Sequence, residues 1–412
     1  MPRQVECFFL GSPFMNSPVS NVRLNLSLLV ACQAMLFTIN STLIAINGLS
    51  GLALAPMTAL ATLPVTCWII GSALTTIPAS LHMKRVGRRI GLMQGAAIGI
   101  LGAMVCAAAL WMHSFWLLCA GMLVYGASNA FGQYYRFAAA DVSPPDFRAT
   151  AVSLVLAGGL IGGVLGPTTS RITVDLFGTK FVGAYLVLIV FALIIIALLS
   201  RTRIPNPTAA EQAATGRPLK EIARQPKFIV AVTSGAIGYG VMNFLMVSSP
   251  IAMGVCGHPY GDAAFVISSH VVAMFAPSFV TGMLVKRLGV VTVLFAGALL
   301  NIGAISVALS GITVANFWWA LVLLGVGWNF LYIGGTSLLL ETYRPEERAR
   351  AQGANEFAIF CMMALSSFTS GLIVTNAGWE KVNLAALPLI GIVLVAIAWL
   401  WLTQRPARTA GA

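Results

Sequence analysis

Polar and aromatic side chains recur at helical spacing inside long apolar stretches of this sequence. Gln33, Phe37, Asn40, Ile44 and Asn47 follow one another at steps of four and three, one face of a helix. Asn129, Gln133 and Arg136 repeat the pattern, and Tyr239 with Asn243 and Trp328 with Asn329 and Tyr332 give two further short sets. Amides that donate and accept, interleaved with rings that stack, suit a flat, hydrogen-bonding, largely uncharged solute better than a sugar or a small ion. The competing use of such amides is to bind helices to one another. Arg136, five residues before Asp141, either serves the protein's own packing, by snorkelling to the surface or pairing with that aspartate, or faces an anionic solute. Two more ionisable groups, Glu356 and His270, lie deep in apolar runs and are candidates for carrying a coupling proton. The alternatives are a Glu356 bonded within "QGANEF" and a His270 satisfied by a backbone carbonyl.

None of this is bond-breaking chemistry. The nearest catalytic grouping, "HPYGD" with His258 and Asp262, has no third partner, so an enzyme is not expected. No G-x-x-x-x-G-K-[ST] occurs, which removes direct drive by ATP. Cys32, Cys67, Cys106, Cys119 and Cys361 sit in apolar runs without paired spacing, so neither metal nor cofactor is called for.

The elements that must position these residues are membrane helices. Of 412 residues, 58% are hydrophobic and 9% charged, and the mean hydropathy is +0.89, far from the quarter of charged residues in a soluble domain. The net charge of +12 sits in short loops rather than in a stripe with aromatics, which argues against nucleic acid. Apolar runs long enough to cross a bilayer predict twelve spans: 23–48, 55–81, 90–112, 115–140, 149–173, 181–200, 228–252, 261–285, 290–310, 315–340, 350–375 and 383–403. With the N-terminus inside, 21 of the 24 Lys and Arg residues fall on the inner side, so both termini are expected in the cytoplasm. The expected organisation is an all-α membrane protein. A tail covers 1–22, with Met15 as an equally good start; six-helix bundles cover 23–201 and 227–403, a polar linker 202–226, and a second tail 404–412. A short surface helix is predicted at "PLKEIARQ".

The two bundles are repeats. Shifted by about 200 residues, "ADVSPPDFRA" lies over "LETYRPEERA", pairing Asp141 with Glu341 and Arg148 with Arg348. "KRVG" at 84–87 returns as "KRLG" at 286–289, and Asn129 meets Asn329. Parallel six-helix repeats describe an alternating-access carrier with its site near the midplane. The cations Lys84, Arg85, Arg88 and Arg89 then face the carboxylates of Asp141 and Glu341, with Asp146, Glu346 and Glu347 near by, as a latch on the inner side.

This arrangement resembles the major facilitator superfamily from about residue 22 to 403. The family's loop signature G-x-x-x-D-R-x-G-R-R/K is matched by Arg85, Gly87, Arg88 and Arg89, while Ser80 and Lys84 replace its Gly and Asp. The resemblance implies a gate at this loop and a central site lined by spans 1, 4, 7 and 10. Span 5, "GGLIGGVLGPTTSR", partly matches the antiporter signature of drug exporters, with Ser170 and Arg171 in place of two glycines. The stretches "GQYYRFAAADVSPPDFRATAVS" and "LYIGGTSLLLETYRPEERARAQGANEF" are similar to the bacterial group that includes riboflavin importers. The expectation is a monomeric secondary transporter in a bacterial inner membrane. It takes up riboflavin or a similar planar vitamin; proton-coupled efflux is the alternative.

Overall fold

The computed structural model describes residues 22–57, 60–206 and 216–404. The first tail, Met15, the middle of the linker and the second tail beyond 404 lie outside the described residues. Within them the chain is helical throughout, with no strand. Lipid leaves no other choice, because every backbone N–H and C=O of a crossing segment must bond inside that segment or a closed barrel.

Twelve spans cross. Spans 1 to 3 are Val22–Leu54, Leu63–Val86 and Arg88–Trp111. Span 4 is Phe115–Gly132 continued by Tyr135–Asp141, and span 5 is Arg148–Ala157 continued by Gly159–Thr173. Span 6 is Val182–Ser200 and span 7 Pro226–Val255. Span 8 is broken into Tyr260–Phe275 and Ser278–Leu288, bent by 41° at Pro277. Spans 9 and 10 are Val290–Leu309 and Val314–Leu339. Spans 11 and 12 share the run Arg348–Gln404, divided by Gly378 at φ 80° and ψ 175°. Span 1 extends past the predicted 48, because Gly51 lets the carbonyl of Ala61 and the ring of Pro64 lie where a Cβ would be. Span 2 accordingly starts at Leu63, with Pro64 in its first turn, and the outer loop expected at 376–382 shrinks to Gly378.

The repeat seen in sequence is a repeat in backbone. Gly87 and Gly289 separate spans 2 and 3 and spans 8 and 9 with φ of 88° and 83° and ψ of 153° and 151°, a region only glycine enters freely. Gly87→Ala should therefore destabilise the protein by about 1–3 kcal/mol, read as a lowered melting temperature in detergent. The glycines of span 5 have another use. A Cβ on Gly158, Gly162 or Gly166 would strike Val30 and Ala34, Phe37 and Thr38, or Ser41 and Thr42 in turn, so span 5 lies against span 1 backbone to backbone.

The halves touch at the basic-loop end and up to the middle of the spans. A Cβ on Gly353 of span 11 would meet Ile77 and Ser80 of span 2; one on Gly282 of span 8 would meet Ala149, Thr150 and Ser153 of span 5. The two seams are related by the repeat, with serine and glycine exchanged between the halves. Among the described residues every hydrogen bond and ion pair between the halves lies in this inner part: Arg88 with Gln352, Asp141 with Arg348, Asp146 with Lys286, Arg136 with Glu356, and Ser153 with Ser278 and Gly282. The structure is closed at its basic end.

Each end of the linker is tied to one half. Asn25 donates to the carbonyl of Arg203 at 3.0 Å and accepts from its N–H at 2.8 Å. Arg217 grips buried Glu347 through its backbone N–H, Nε and Nη2 at 2.7–2.9 Å, and the short helix Leu219–Ile222 follows. The Arg217 hydrogen bonds hold the Glu347 carboxyl down at about 2 against its burial, so this strap stays charged at any physiological pH.

Candidate functional site

Spans 1, 2 and 4 assemble the amide side of the site. Asn129 sits at the hub: its Oδ1 accepts from Asn40 Nδ2 at 3.1 Å and Gln133 Nε2 at 3.3 Å, and its Nδ2 donates to Ser72 Oγ at 3.1 Å. Gln33 is buried two turns from Asn40 toward the basic end. Asn47 leaves this face; its Oδ1 accepts from Tyr185 Oη of span 6 at 2.7 Å. A stripe spaced at 3.5 residues drifts by about 20° per heptad on a straight helix, and two heptads separate Gln33 from Asn47.

Spans 7, 8 and 10 supply the aromatic side. Trp328 and Tyr332, one turn apart, stack at 4.9 Å and 17°, and Tyr239 stands edge-on to both at 5.4 and 5.5 Å. Phe275 packs on Trp328 at 5.7 Å and reaches across to Phe37 of span 1 at 4.6 Å. The spacing of polar and aromatic residues does not single out Phe275, although Pro277, which bends span 8 beside it, is a signal for it in the sequence. Asn243 turns to its own half, donating to Ser366 and Ser367 of span 11 at 2.9 and 2.7 Å. Asn329 is spent on span 8: it donates to Met274 O and Ser278 Oγ and accepts from Thr281 Oγ1, all within 2.7 Å. Both act here as the helix-binding amides of the alternative reading.

Arg136 joins the two sides. Its guanidinium lies over the rings of Phe137 and Tyr332, each at 4.5 Å, pairs with the Glu356 carboxylate, and donates to Gln133 O at 3.0 Å. Asn355 Nδ2 donates to the same Glu356 oxygen at 2.7 Å. Arg136 and Glu356 are each 1% exposed, and they tie span 4 to span 11 rather than Arg136 to Asp141. Three buried polar atoms around them have no partner in the protein: Asn40 Oδ1, Arg136 Nε and Trp328 Nε1. One acceptor and two donors therefore remain for something else. His270 stands apart between spans 8 and 10, its Nδ1 at 2.7 Å from Leu321 O.

At the basic end Asp141 receives two arginines, Arg88 from its own half and Arg348 from the other at 3.1 Å. Arg88 also donates to Gln352 Oε1 at 2.5 Å, and Arg89 to the carbonyl of Ser200. Lys84 is half-buried, while Arg85 and Arg148 are exposed. Lys286 meets Asp146 across the halves at 3.4 Å. Glu341 does not reach across; it pairs with Lys227 of its own half at 2.6 Å. The reason is in the repeat: the position matching Arg88 is Val290, so Glu341 has no second arginine to hold.

The family model of the Major Facilitator Superfamily matches residues 26–342 and 260–412. A riboflavin transporter, RfnT, of Brucella anthropi is 39% identical over 380 residues, 91% of this chain and 95% of its own. An uncharacterized MFS-type transporter of Bacillus subtilis, YddS, is 29% identical over 356 residues, 82% of this chain and 81% of its own. Among solved structures, the transporter FucP in the outward conformation superposes with a TM-score of 0.76 at 16% identity, over 92% of this chain and 99% of its own. An outward-facing bacterial homologue of the iron transporter ferroportin gives 0.72 at 12% identity, over 91% and 98%.

Proposed function

Because the chain belongs to the Major Facilitator Superfamily, we propose that it is a secondary transporter that takes riboflavin, or a planar vitamin of like shape, into the cell by alternating access. The observation that carries this reading is the Trp328–Tyr332 stack beside Arg136, with an acceptor and two donors left over where the halves meet. A fused heteroaromatic ring bearing carbonyl and N–H edges can stack there and use those atoms. The riboflavin transporter of Brucella anthropi, 39% identical over 91% of this chain, supports the same solute.

In this reading Gln33, Phe37, Asn40, Asn129, Gln133, Tyr239 and Trp328 line the path of the solute, and Arg136 anchors it. The protein sits in a bacterial inner membrane with both termini in the cytoplasm, which the lopsided Lys and Arg distribution favours. It works as a monomer, each copy holding a whole site between its own halves. A coupling proton is assigned to Glu356 rather than His270, because neutralising Glu356 would loosen a tie between the halves.

Rescue of a riboflavin-auxotrophic bacterium at micromolar vitamin tests the reading. Growth and labelled uptake are expected, with uptake collapsing on addition of an uncoupler. Well-inserted protein that gives no uptake, or that drives efflux from loaded cells, would overturn import; uptake indifferent to the uncoupler would remove the proton.

A further inference from the structure

The charge of the central site cancels within the protein. Among the described residues the charged side chains that are buried are Arg88, Arg136, Glu347 and Glu356. Arg88 and Glu347 belong to the basic end, where Asp141 and Arg217 neutralise them. That leaves one cation and one anion at the level of the aromatic cluster, and they neutralise each other.

Arg136 also has little left to offer an anion. The rings of Phe137 and Tyr332 each stand 4.5 Å from its guanidinium, one N–H is on Glu356 and another on the carbonyl of Gln133, Nε has no partner, and the charge that would hold an anion is already met by the Glu356 carboxylate. A single N–H suffices for a carbonyl oxygen. A phosphate monoester carries about −1.5 to −2 charges and needs an uncancelled cation. To obtain one it would have to displace Glu356, which would leave a carboxylate unpaired in a water-poor interior.

We propose that Glu356 is the specificity-determining residue of the site: while it is ionised and the halves are tied, it cancels Arg136, restricts the transporter to neutral flat solutes and excludes their phosphate esters. This rests on the aromatic cluster being the solute site, as proposed above. It accounts for why an importer would keep a costly ion pair among its aromatics, since the pair discriminates by leaving a wrong ligand with an uncompensated charge.

The test is equilibrium dialysis of the purified full chain in detergent against riboflavin and riboflavin 5′-phosphate, read as the ratio of the two affinities. Wild type should favour the neutral vitamin by about 100-fold. Glu356→Gln keeps an oxygen for Arg136 and Asn355 while removing the charge, and should lower that ratio at least about tenfold. The double variant Arg136→Gln with Glu356→Gln should raise it again, a recovery that a merely structural role would not give. If no flavin binds wild type, the flavin reading falls, and the ratio is read with pyridoxine and pyridoxine 5′-phosphate. The charge rule is overturned if the ester binds wild type as well as its parent, if Glu356→Gln leaves the ratio unchanged, if the double variant does not restore it, or if neither pair binds.

Discussion

Arg136→Ala should abolish uptake and lower stability by about 3–5 kcal/mol, the cost of stranding one partner of a buried pair. The substitution removes the ion pair to Glu356, two ring contacts and the bond to the Gln133 carbonyl in one step. Most of the lost stability belongs to Glu356, left buried with only Asn355 on its oxygen, where it must either stay charged without a cation or take up a proton. Removing both charges, in Arg136→Ala with Glu356→Ala, should recover a large part of that stability while uptake stays absent. Arg136→Lys should not rescue transport, because a compact ammonium cannot meet the rings of Phe137 and Tyr332, the Gln133 carbonyl and Glu356 together as the planar guanidinium does. Thermal unfolding in detergent separates the stability effect from transport, which is read by labelled uptake at matched expression. Equal stability of wild type and the single variant would mean that the pair is not closed in the folded protein.

The sequence carried the fold and one side of the site further than the other. Helix count followed from apolar run length, which the bilayer imposes, and the repeat from "KRVG" against "KRLG", where both halves need the same glycine between two spans. Asn40, Asn129 and Gln133 were legible as a set, since a stripe on two helices that face each other leaves few other uses. Spacing alone could not separate Asn129 from Asn329. They are repeat mates and both bond to the neighbouring helix, yet Asn129 also takes Asn40 and Gln133 while Asn329 has every bond filled by span 8. Nor could it join Arg136 to Glu356: they lie 220 residues apart in different halves, and only the packing of span 4 on span 11 brings them together. Phe275 is not legible from spacing, because one more phenylalanine in an apolar run says nothing without the bend beside it.

Asp141→Asn should open the basic end, whereas the matching change in the other half, Glu341→Gln, should do almost nothing. Asp141 holds Arg88, which is 7% exposed, and draws Arg348 across from the second half at 3.1 Å. Asparagine keeps the shape and loses the charge, leaving two cations close together with only Gln352 between them. At about 2–3 kcal/mol for the partly buried Asp141–Arg348 pair, the one of the two that crosses between the halves, the balance between closed and open states should move about 30- to 150-fold toward opening. Glu341 and Lys227 are 49% and 42% exposed and lie in one half, so their pair contributes about 0–1 kcal/mol and nothing to the tie between halves. The readout is the rate at which a cysteine placed at Ser80, in the seam against Gly353, reacts with a water-soluble maleimide. That rate should rise by the same factor with Asp141→Asn and stay within about twofold with Glu341→Gln. Equal effects of the two variants would show that the gate follows the sequence repeat rather than the asymmetry created by Arg88 standing where the other half has Val290.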